Sequence, residues 1–450
     1  MRGKAGPATV PGVAEKRYAL LTFGCQMNLH DAERIGGILE SEGWREAPLA
    51  EADAIILLTC CVRESAERRL YGNLSALKPL KARKPVTIAV GGCMAQKEGH
   101  RLQERAPYVD LVFGTHQYPR IAGLLAAAQR GRVCSTALDG LSIEGLPYRR
   151  RESFRAWVTI THGCDNFCTY CVVPYVRGRE TSRPLSEVVE EVGMHVRAGV
   201  REINLLGQNV NSYCRKEEGR SRFADLLRHL GLRYPHTWVR FMTSHPRDFD
   251  PEIIQAIAET ENVCEYVHLP LQSGSDRVLA SMHRGYGREE YREKARELRR
   301  VVPEASLSTD IMVGFPGEGE DDFLATLDIV DSCRFDAAFT FIYNPREGTA
   351  AARLADDVPA EVKQERLRRL LELTRGLTAS SLREEVGKER VALVYGPSHR
   401  DPLNWSARTR RNQLVHFRRG EADLSGRFVR VRISASGSWS LLGELLEVLG

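Results

Sequence analysis

Three cysteines near the middle of the chain are spaced to act together as ligands of one metal centre. Cys164, Cys168 and Cys171 are separated by three and two residues, within WVTITHGCDNFCTYCVVPYVRGRE (157–180). Three thiolates can hold a 4Fe–4S cluster and leave one iron open for another ligand, as a cluster that acts on a bound molecule requires. The spacing therefore predicts a cluster with an open iron.

Two other interpretations of this segment stay open. A structural zinc site needs four ligands, and His162 or Cys214 could supply the fourth. The three cysteines could also share a loop by coincidence. His162 is too close in sequence to Cys164 to chelate comfortably, and this favours the iron–sulfur cluster.

A second set of cysteines, Cys25, Cys60 and Cys93, lies within residues 17–133, where short apolar segments alternate with helical patterns. This alternation predicts a parallel sheet covered on both faces. The predicted strands are 18–23, 54–58, 86–90 and 111–113, and the predicted helices are 31–42, 64–78, 96–105 and one near 121–130. Each cysteine follows one of the first three strands, so the three could converge at the edge where sites form in such sheets. The alternative is that they are small buried apolar residues.

Residues 156–345 contain six further strand candidates, each followed by a helical pattern. They are 157–161, 202–206, 238–242, 266–269, 307–313 and 337–343. Six such units predict a partial (β/α)6 barrel rather than a complete eight-fold one, with its site at the ends of the strands. Polar or glycine-rich runs follow four of these strands, such as LLGQNVNSY and VGFPGE, which is consistent with such a site.

The C-terminal segment, residues 387–450, carries the positive charge of the chain. It has eleven Lys and Arg against six Asp and Glu, which accounts for the net charge of +5 of all 450 residues. Short strands punctuated by Gly and Ser predict a small all-β barrel of the OB type. Five arginines alternate there with Trp405, His416 and Phe417, a combination that suits RNA phosphates and bases. These arginines are Arg408, Arg410, Arg411, Arg418 and Arg419.

Together these patterns predict a mixed α/β chain of three domains. We expect a disordered tail (1–16), an α/β domain (17–133), a linker (134–155), the barrel domain (156–380) and the β-barrel (383–450). The tail lacks the apolar core of a signal peptide, and no apolar run approaches the ~20 residues that span a bilayer. Eleven cysteines without an export signal favour a reducing compartment, so we expect a cytoplasmic protein, a monomer without membrane association.

The cysteine loop resembles that of the radical S-adenosylmethionine (SAM) enzymes. Their motif has an aromatic residue before the third ligand, and Tyr170 occupies that position here. The resemblance implies that the open iron binds SAM, which is cleaved to a 5′-deoxyadenosyl radical. It also implies positions for SAM contacts. Gln208 and Asn209 would lie near the methionine part, Gln272 and Ser273 near the ribose, and Gly314 to Glu318 at the adenine end.

The N-terminal domain resembles that of the methylthiotransferases, a branch of the radical-SAM enzymes. The resemblance lies in TFGCQMN (22–28), TCCVRE (59–64) and GGCMAQ (91–96), and it implies a second, auxiliary 4Fe–4S cluster on Cys25, Cys60 and Cys93. Two positions depart from the family pattern, Leu58 before Thr59 and Cys61 after the ligand. Alignment of Thr59, Val62 and Arg63 with the family assigns the ligand to Cys60, and Cys61 is the alternative.

The segment WSARTRRNQLVHF (405–417) resembles the TRAM domain, an RNA-binding barrel. The sequence Cys25-Gln26-Met27-Asn28 is like that of the branch acting on N(6)-dimethylallyladenosine at position 37 of tRNA. The resemblance implies methylthiolation of carbon 2 in the anticodon stem-loop. It also implies an electron donor such as flavodoxin or ferredoxin, and a sulfur donor or cluster-assembly carrier. The alternatives are threonylcarbamoyl-adenosine of tRNA or a ribosomal-protein aspartate as substrate, and, more remotely, a non-catalytic iron–sulfur RNA-binding protein. We expect loss of residues 387–450 to lower RNA affinity and leave SAM chemistry intact.

Overall fold

The computed structural model describes residues 15–61, 64–140, 143 and 145–449, with the side chains of residues 64 and 65 left out. Most of the predicted tail, and Val62 and Arg63, lie outside these residues. The chain divides into two compact units, Met1–Arg151 and Glu152–Gly450. No helix of the described part is both long and apolar enough to cross a membrane.

The first unit is built on a six-stranded parallel sheet with the order β2-β1-β3-β4-β5-β6. Its strands are β1 (Arg17–Phe23), β2 (Arg45–Glu46), β3 (Ala54–Thr59), β4 (Thr87–Gly91), β5 (Leu111–Phe113) and β6 (Val133–Ser135). All six residues of β3 and all five of β4 are buried, as expected for central strands covered on both faces. The covering helices are α1 (Gln26–Ser41), α2 (Glu64–Arg83), α3 (Cys93–Glu98), α4 (His100–Arg105) and α5 (Ile121–Ala128).

The sheet confirms the predicted parallel α/β architecture, with differences at element ends. Helix α1 begins five residues before the predicted start, directly after Cys25. The predicted helix 96–105 is two helices, because Gly99 takes a left-handed φ of 52° between them. The predicted linker 134–155 differs most, since β6 enters it and Arg149 donates its backbone N–H to the carbonyl of Glu33 in α1. Most of that segment therefore belongs to the first unit.

The second unit contains the predicted six-stranded partial barrel, with all six strands parallel. They are ordered β7-β10-β11 and β12-β13-β14, and a bridge between Val239 and Val263 joins the two halves. A short antiparallel pair, β8 and β9, lies between the first two. The strands are β7 (Arg155–Thr159), β8 (Thr161–His162), β9 (Thr181–Ser182), β10 (Glu202–Leu206), β11 (Trp238–Phe241), β12 (Tyr266–His268), β13 (Ser306–Val313) and β14 (Ala337–Ile342).

Helices cover the outside of this barrel and bury one continuous apolar core with the strands. Apolar side chains such as Val192, Leu227, Ile257 and Leu298 are fully or almost fully buried beneath these helices. The helices are α6 (Val173–Arg177), α7 (Leu185–Arg197), α8 (Arg215–Glu218), α9 (Phe223–Arg233), α10 (Pro251–Glu259), α11 (Asp276–Ser281), α12 (Arg288–Val301), α13 (Glu320–Cys333) and α14 (Ala360–Arg383).

The C-terminal part forms a closed five-stranded barrel with the order β15-β16-β17-β19-β18. Its strands are β15 (Glu389–Pro397), β16 (Asn404–Thr409), β17 (Leu414–Arg418), β18 (Phe428–Ser436) and β19 (Leu441–Val448). Alternate residues of β16 and β17 are buried, including Trp405, Ala407, Val415 and Phe417, and they fill the interior. Closure leaves no unpaired sheet edge.

The small barrel is docked on the N-terminal ends of the partial-barrel strands, the end opposite the cysteine loop. Arg155 at the start of β7 stacks on the ring of Tyr395, 4.7 Å from its centroid. Trp238 at the start of β11 packs on Phe428, with ring centroids 4.7 Å apart. Glu265, just before β12, forms an ion pair with Arg410 at 2.6 Å. The small barrel therefore closes the base of the partial barrel.

Charged side chains are buried at this base, each with a partner. The guanidinium of Arg240 lies 2.7 Å from the carboxylate of Glu202 and donates to the backbone carbonyls of Thr409 and Arg410. Glu202 is fully buried and also accepts from the hydroxyl of Tyr395 at 2.8 Å. A charge without a partner would be costly at such a site, so these contacts fix how the two barrels fit together.

Candidate iron–sulfur and SAM site with a second cysteine cluster

The loop with Cys164, Cys168 and Cys171 connects β8 to β9. The two-residue ladder pairs Thr161 with Ser182 and His162 with Thr181, so both ends of the loop are held together. The backbone N–H of Cys164 donates to the carbonyl of Gly178 at 3.2 Å. Gly163 permits this closure, because its φ is +71° and a Cβ there would lie 2.1 Å from the carbonyl oxygen of Arg179.

The three thiols of the loop lie at the top of the barrel and are largely withdrawn from solvent. Cys164 and Cys168 are 9% and 8% exposed, and Cys171 is partly buried. Burial, with the nearby Cys168, raises the pKa of Cys164 and that of Cys171 to about 12. Thiolates at these positions therefore need a strong positive charge, which iron supplies when it binds.

A buried arginine, Arg284, faces this loop, and sequence reasoning assigned it no role. Arg284 is 4% exposed and donates to the Sγ of Cys168 at 3.2 Å and to the hydroxyl of Tyr170 at 3.4 Å. Its other nitrogens donate to the hydroxyl of Tyr286 and the carbonyl of Pro270. Tyr170, at the aromatic position of the motif, packs against the apolar cluster that contains Phe315 and Tyr343.

Buried polar atoms without a protein partner cluster at the ends of β10 and β11. They belong to Gln208, Asn209, Asn211, Ser244 and His245. Asn209 donates to Asp248 at 2.7 Å, and its carbonyl oxygen is left over. Unsatisfied groups are rare in protein interiors, so these atoms together indicate a site for a polar ligand. Sequence reasoning named Gln208 and Asn209, and it included Ser244 and His245 only as part of the polar run TSHP that follows the third barrel strand.

His245 is neutral in this cluster. Burial and the positive charges of Arg284 and Arg247 hold its pKa well below the usual value. Its Nδ1 accepts the backbone N–H of Arg247, so the proton of the neutral ring lies on Nε2, which has no partner. His245 therefore offers one N–H donor toward a ligand.

Backbone strain is concentrated at the same end of the barrel. Among the described residues other than glycine, seven have positive φ, and five of these lie in loops at this end. The five are Phe167, Cys214, Thr243, Gln272 and His283. Thr243 is β-branched and has φ of 67°, a conformation that such residues rarely adopt. Strained residues of this kind cluster at ligand sites.

The remaining residues predicted to contact SAM serve partly as structural links. Gln272 continues the barrel by donating its backbone N–H to the carbonyl of Asp310. Ser273 is fully buried and accepts from the backbone N–H of Ser275 at 3.3 Å. Glu318 accepts from the backbone N–H of Gly314 and from Arg366, which closes the turn after β13. Their contact with SAM stays a prediction.

The three N-terminal cysteines follow three adjacent strands, β1, β3 and β4, as the sequence predicted. Cys25 precedes α1 in an extended conformation, Cys60 follows β3, and Cys93 begins α3. The loops are in contact, because a Cβ on Gly24 would lie 2.4 Å from the Cβ of Cys60. This contact places the side chain of Cys60 beside Gly24, next to Cys25 in the chain. The choice of Cys60 over Cys61 as the ligand stays a prediction.

Two glycines and one asparagine hold these loops together. Gly24 and Gly92 have φ of +120° and +90°. Asn28 donates its amide N–H to the carbonyl of Phe23 at the end of β1, 2.9 Å away. A Cβ on Gly92 would lie 3.8 Å from the Oδ1 of Asn28 and 3.0 Å from the carbonyl of Thr59. The backbone therefore brings the three cysteine loops to one edge of the sheet.

In the part of the chain that the structure describes, no three His, Cys, Asp or Glu side chains are placed so that they could hold a metal ion. His162 and Cys214 therefore do not complete a compact zinc site with the cysteine loop. A 4Fe–4S cluster is a larger group, since each thiolate binds a different iron atom. The buried thiols and Arg284 fit a sulfur-rich anionic cluster, and the converging loops of the first unit fit a second one.

The arginines predicted to bind RNA fall into two groups. Arg410 and Arg411 form ion pairs within the second unit, with Glu265 and with Asp336 and Glu385. Arg408 donates to the carbonyl of Asn412. Only Arg418 and Arg419 among the five are exposed. RNA contact by any of the five stays a prediction; ion pairs hold Arg410 and Arg411, and a hydrogen bond holds Arg408.

Three family models match the chain in order. Residues 158–330 match the Radical SAM superfamily, residues 17–114 the Uncharacterized protein family UPF0004, and residues 383–446 the TRAM domain. Among solved structures, the radical S-adenosylmethionine methyltransferase TsrM from Kitasatospora setae is similar in fold, with a TM-score of 0.59 and 15% identity. That match covers 75% of this chain and 77% of the other.

Curated relatives match over nearly the whole length. The chain is 46% identical over 443 residues to the tRNA-2-methylthio-N(6)-dimethylallyladenosine synthase of Moorella thermoacetica, which covers 96% of this chain and 99% of the relative. It is 46% identical over 442 residues to the synthase of the same name from Carboxydothermus hydrogenoformans, covering 96% and 100%. The chain therefore belongs to the tRNA-2-methylthio-N(6)-dimethylallyladenosine synthase family of radical-SAM methylthiotransferases.

Proposed function

We propose that this protein inserts sulfur at carbon 2 of N(6)-dimethylallyladenosine at position 37 of tRNA and methylates that sulfur. The observation that carries the proposal is the 46% identity to synthases of this name over 96% of the chain. The product is the 2-methylthio derivative of the nucleoside next to the anticodon.

The radical-SAM family uses a 4Fe–4S cluster and SAM, and Cys164, Cys168 and Cys171 are the residues that would hold the cluster. Together the cluster and SAM supply a radical that can activate a C–H bond that is not acidic. The chain contributes a closed loop, a buried guanidinium at Cys168 and a partly unsatisfied polar pocket at Asn209 and His245. These groups orient SAM and keep water from the reacting atoms.

A second 4Fe–4S cluster on Cys25, Cys60 and Cys93 would supply or carry the sulfur. The contact between Gly24 and Cys60, and the placement of all three cysteines at the ends of adjacent strands, support this assignment. The amino end of the 16-residue helix α1 favours negative charge on Cys25, as a thiolate ligand requires.

The proposed partner is the tRNA anticodon stem-loop. Arg418 and Arg419 are exposed on the small barrel, and Arg419 stacks on Trp405, 4.7 Å from the ring centroid. Trp439, between β18 and β19, is 58% exposed and offers a ring for a base. A flavodoxin or ferredoxin would deliver electrons, and a sulfur donor or cluster-assembly carrier would restore the sulfur. We place this reaction in the cytoplasm, with the enzyme acting as a monomer.

Nucleoside mass spectrometry of tRNA from a deletion strain tests the proposal. We expect N(6)-dimethylallyladenosine to accumulate and its 2-methylthio derivative to disappear, with recovery when the intact gene is restored. Loss of 2-methylthio-threonylcarbamoyl-adenosine instead, or of a modified ribosomal-protein aspartate, would assign the alternative substrates. A purified protein that binds iron but forms no 5′-deoxyadenosine from SAM would be a non-catalytic RNA-binding protein.

A further inference from the structure

We propose that Phe167, Tyr175 and Arg179 form a stacking platform on the cysteine loop that binds a base flanking the target adenosine in the tRNA loop. We call these three residues the rim platform. The proposal rests on the proposed function, because it assumes a tRNA loop at this site. It names the residues that would recognise the RNA next to the reacting atoms.

The geometry of the rim platform is that of an aromatic pair with a cation above it. The rings of Phe167 and Tyr175 are 6.0 Å apart at an interplanar angle of 78°. The guanidinium of Arg179 lies 5.1 Å from the centroid of Phe167. Single-stranded RNA is recognised by stacking on such rings and guanidinium planes, and the stacking tolerates any base.

Two members of the platform, Tyr175 and Arg179, are exposed, whereas Cys164 and Cys168 of the same loop are buried. The side chain of Tyr175 is 51% exposed and that of Arg179 is 67% exposed, whereas Cys164 and Cys168 are below 10%. Phe167 is partly buried and Tyr175 is exposed, so part of the aromatic pair faces solvent. The exposed face of the pair is therefore available to a ligand.

The position of Phe167 is maintained against backbone strain. Its φ is +45°, a left-handed conformation that is uncommon for a bulky residue. The neighbouring residues fix this turn, since Arg247 donates to the side chain of Asn166 and Arg179 forms a fork with Asp165 at 2.7 and 3.2 Å. A glycine would fit this backbone without strain, so the aromatic side chain indicates a role beyond the turn.

The platform lies beside the reacting centre. Phe167 directly precedes the ligand Cys168, and Tyr175 lies on α6, four residues after the ligand Cys171. If the target base enters the barrel, the nucleotides on either side of it stay outside, near the rings of Phe167 and Tyr175. The platform would therefore hold a neighbouring base of the loop, unstacked from the target.

A double-mutant cycle between protein and RNA tests the platform. The cluster-loaded full-length enzyme and its Phe167→Gly variant are titrated with a stem-loop RNA and with versions that are abasic at one loop position at a time. We expect Phe167→Gly to weaken binding of the intact RNA about 10-fold, in the range of one base stacked on an aromatic ring. At one position flanking the target, the abasic RNA should bind the parent enzyme and the Phe167→Gly variant equally. Removing the base and removing the ring abolish the same stacking interaction, so the second change has no further effect.

Matched variants separate stacking from structure. Phe167→Tyr and Tyr175→Phe should retain affinity, and Phe339→Leu, which alters a ring 46% exposed in β14, should show no coupling to that position. Iron content and melting temperature of Phe167→Gly should equal those of the parent protein. Additive losses at every loop position, or coupling with Phe339→Leu of the same size, would overturn the platform. Those results leave the proposed function standing if the parent enzyme still forms the 2-methylthio nucleoside, so the two failures are distinguishable.

Discussion

The two sets of cysteines are presented by very different lengths of chain. Cys164, Cys168 and Cys171 lie in one loop whose ends are joined by the β8–β9 pair. Cys25, Cys60 and Cys93 come from three strand ends that meet only when the sheet has formed in its order β1-β3-β4. The first set depends on local closure and the second on long-range pairing, which is slower and costs more chain entropy. A short motif is therefore enough to identify the first set, whereas the second needs a fold.

The largest effect is expected from removing either set completely. Changing Cys164, Cys168 and Cys171 to Ala should leave about half the iron and abolish 5′-deoxyadenosine formation, because the SAM-binding cluster has no ligands. Changing Cys25, Cys60 and Cys93 should also halve the iron but leave SAM cleavage, while no sulfur reaches tRNA. Iron analysis, a SAM-cleavage assay and nucleoside mass spectrometry measure the three outcomes.

Cys61 must be removed as well in the second variant, since a neighbouring thiol could replace Cys60. Methylthiolated tRNA from that fourfold variant would falsify the two-cluster mechanism. Zinc in place of iron at the loop set would contradict the cluster assignment itself.

Two glycine substitutions should break the sites one at a time. Gly24→Ala places a methyl group 2.4 Å from the Cβ of Cys60, and Gly163→Ala places one 2.1 Å from the carbonyl of Arg179. Both atoms are too close, so the first variant should lose iron from the N-terminal set and the second from the loop set. Spectroscopic iron quantification combined with SAM cleavage distinguishes the two.

Gly43→Ala and Gly199→Ala are matched controls, one in each unit. They have φ of +80° and +86° and no atom within 4 Å of the added methyl group. Each should cost only about 1 kcal/mol of backbone strain and retain both clusters. Equal iron loss in controls and test variants would mean that strain, not contact between the loops, governs the sites.

The unit with the cysteine loop should prove sensitive to a distant contact at its base. Glu202→Gln leaves Arg240 buried without its charge partner, which costs about 3–5 kcal/mol and lowers the melting temperature of the second unit by roughly 10 °C. The exposed Glu444→Gln is the control and should change it little. Calorimetry should show the transition of the first unit unaffected in both variants.

The buried carboxylates where the small barrel meets the partial barrel should make the protein less stable in acid. Burial alone would raise the pKa of Glu202 and of Glu385, but Arg240 and Arg390 hold each pKa below its usual value. With a lower pKa in the folded state, the unfolded state binds protons first as the pH falls. The stabilisation is therefore complete above about pH 5 and lost as the pH falls through the folded pKa values. Acid unfolding followed by tryptophan fluorescence should start in the second unit, and Glu202→Gln should weaken its pH dependence.

A smaller effect is expected at Arg284, whose guanidinium donates to Cys168 of the loop set. Arg284→Lys keeps a positive charge but loses the planar fork that reaches both Cys168 and Tyr170. Loss of one charge-assisted hydrogen bond, about 1.5 kcal/mol, should slow 5′-deoxyadenosine formation roughly 10-fold. Iron content of the N-terminal set should stay constant. An unchanged rate would mean that this arginine serves packing alone.

Sequence reasoning located the strands of both sheets within a few residues, because short apolar runs bounded by Gly and polar residues are strong local signals. It also placed one set of cysteines in a single loop and the other at the ends of three strands. It assigned no role to Arg284 or His245, since each acquires its role from residues far away in the sequence. The same limit affected the small barrel, where the charge pattern indicated an appendage whose loss would lower RNA affinity and leave SAM chemistry intact. Arg410 and Glu265, 145 positions apart, now show that removal would expose the base of the partial barrel.

The docking of the small barrel has a consequence for which molecules can be substrates. The TRAM barrel sits at one end of the partial barrel and the cysteine loop at the other, separated by strands of three to eight residues. At about 3.3 Å per residue, that separation is roughly 10–26 Å. An RNA that engages both ends must bridge this distance and gains affinity from double attachment, whereas a single nucleoside engages one end only. We therefore expect an RNA long enough to contact both ends to bind more tightly than a single nucleoside, whatever its base sequence.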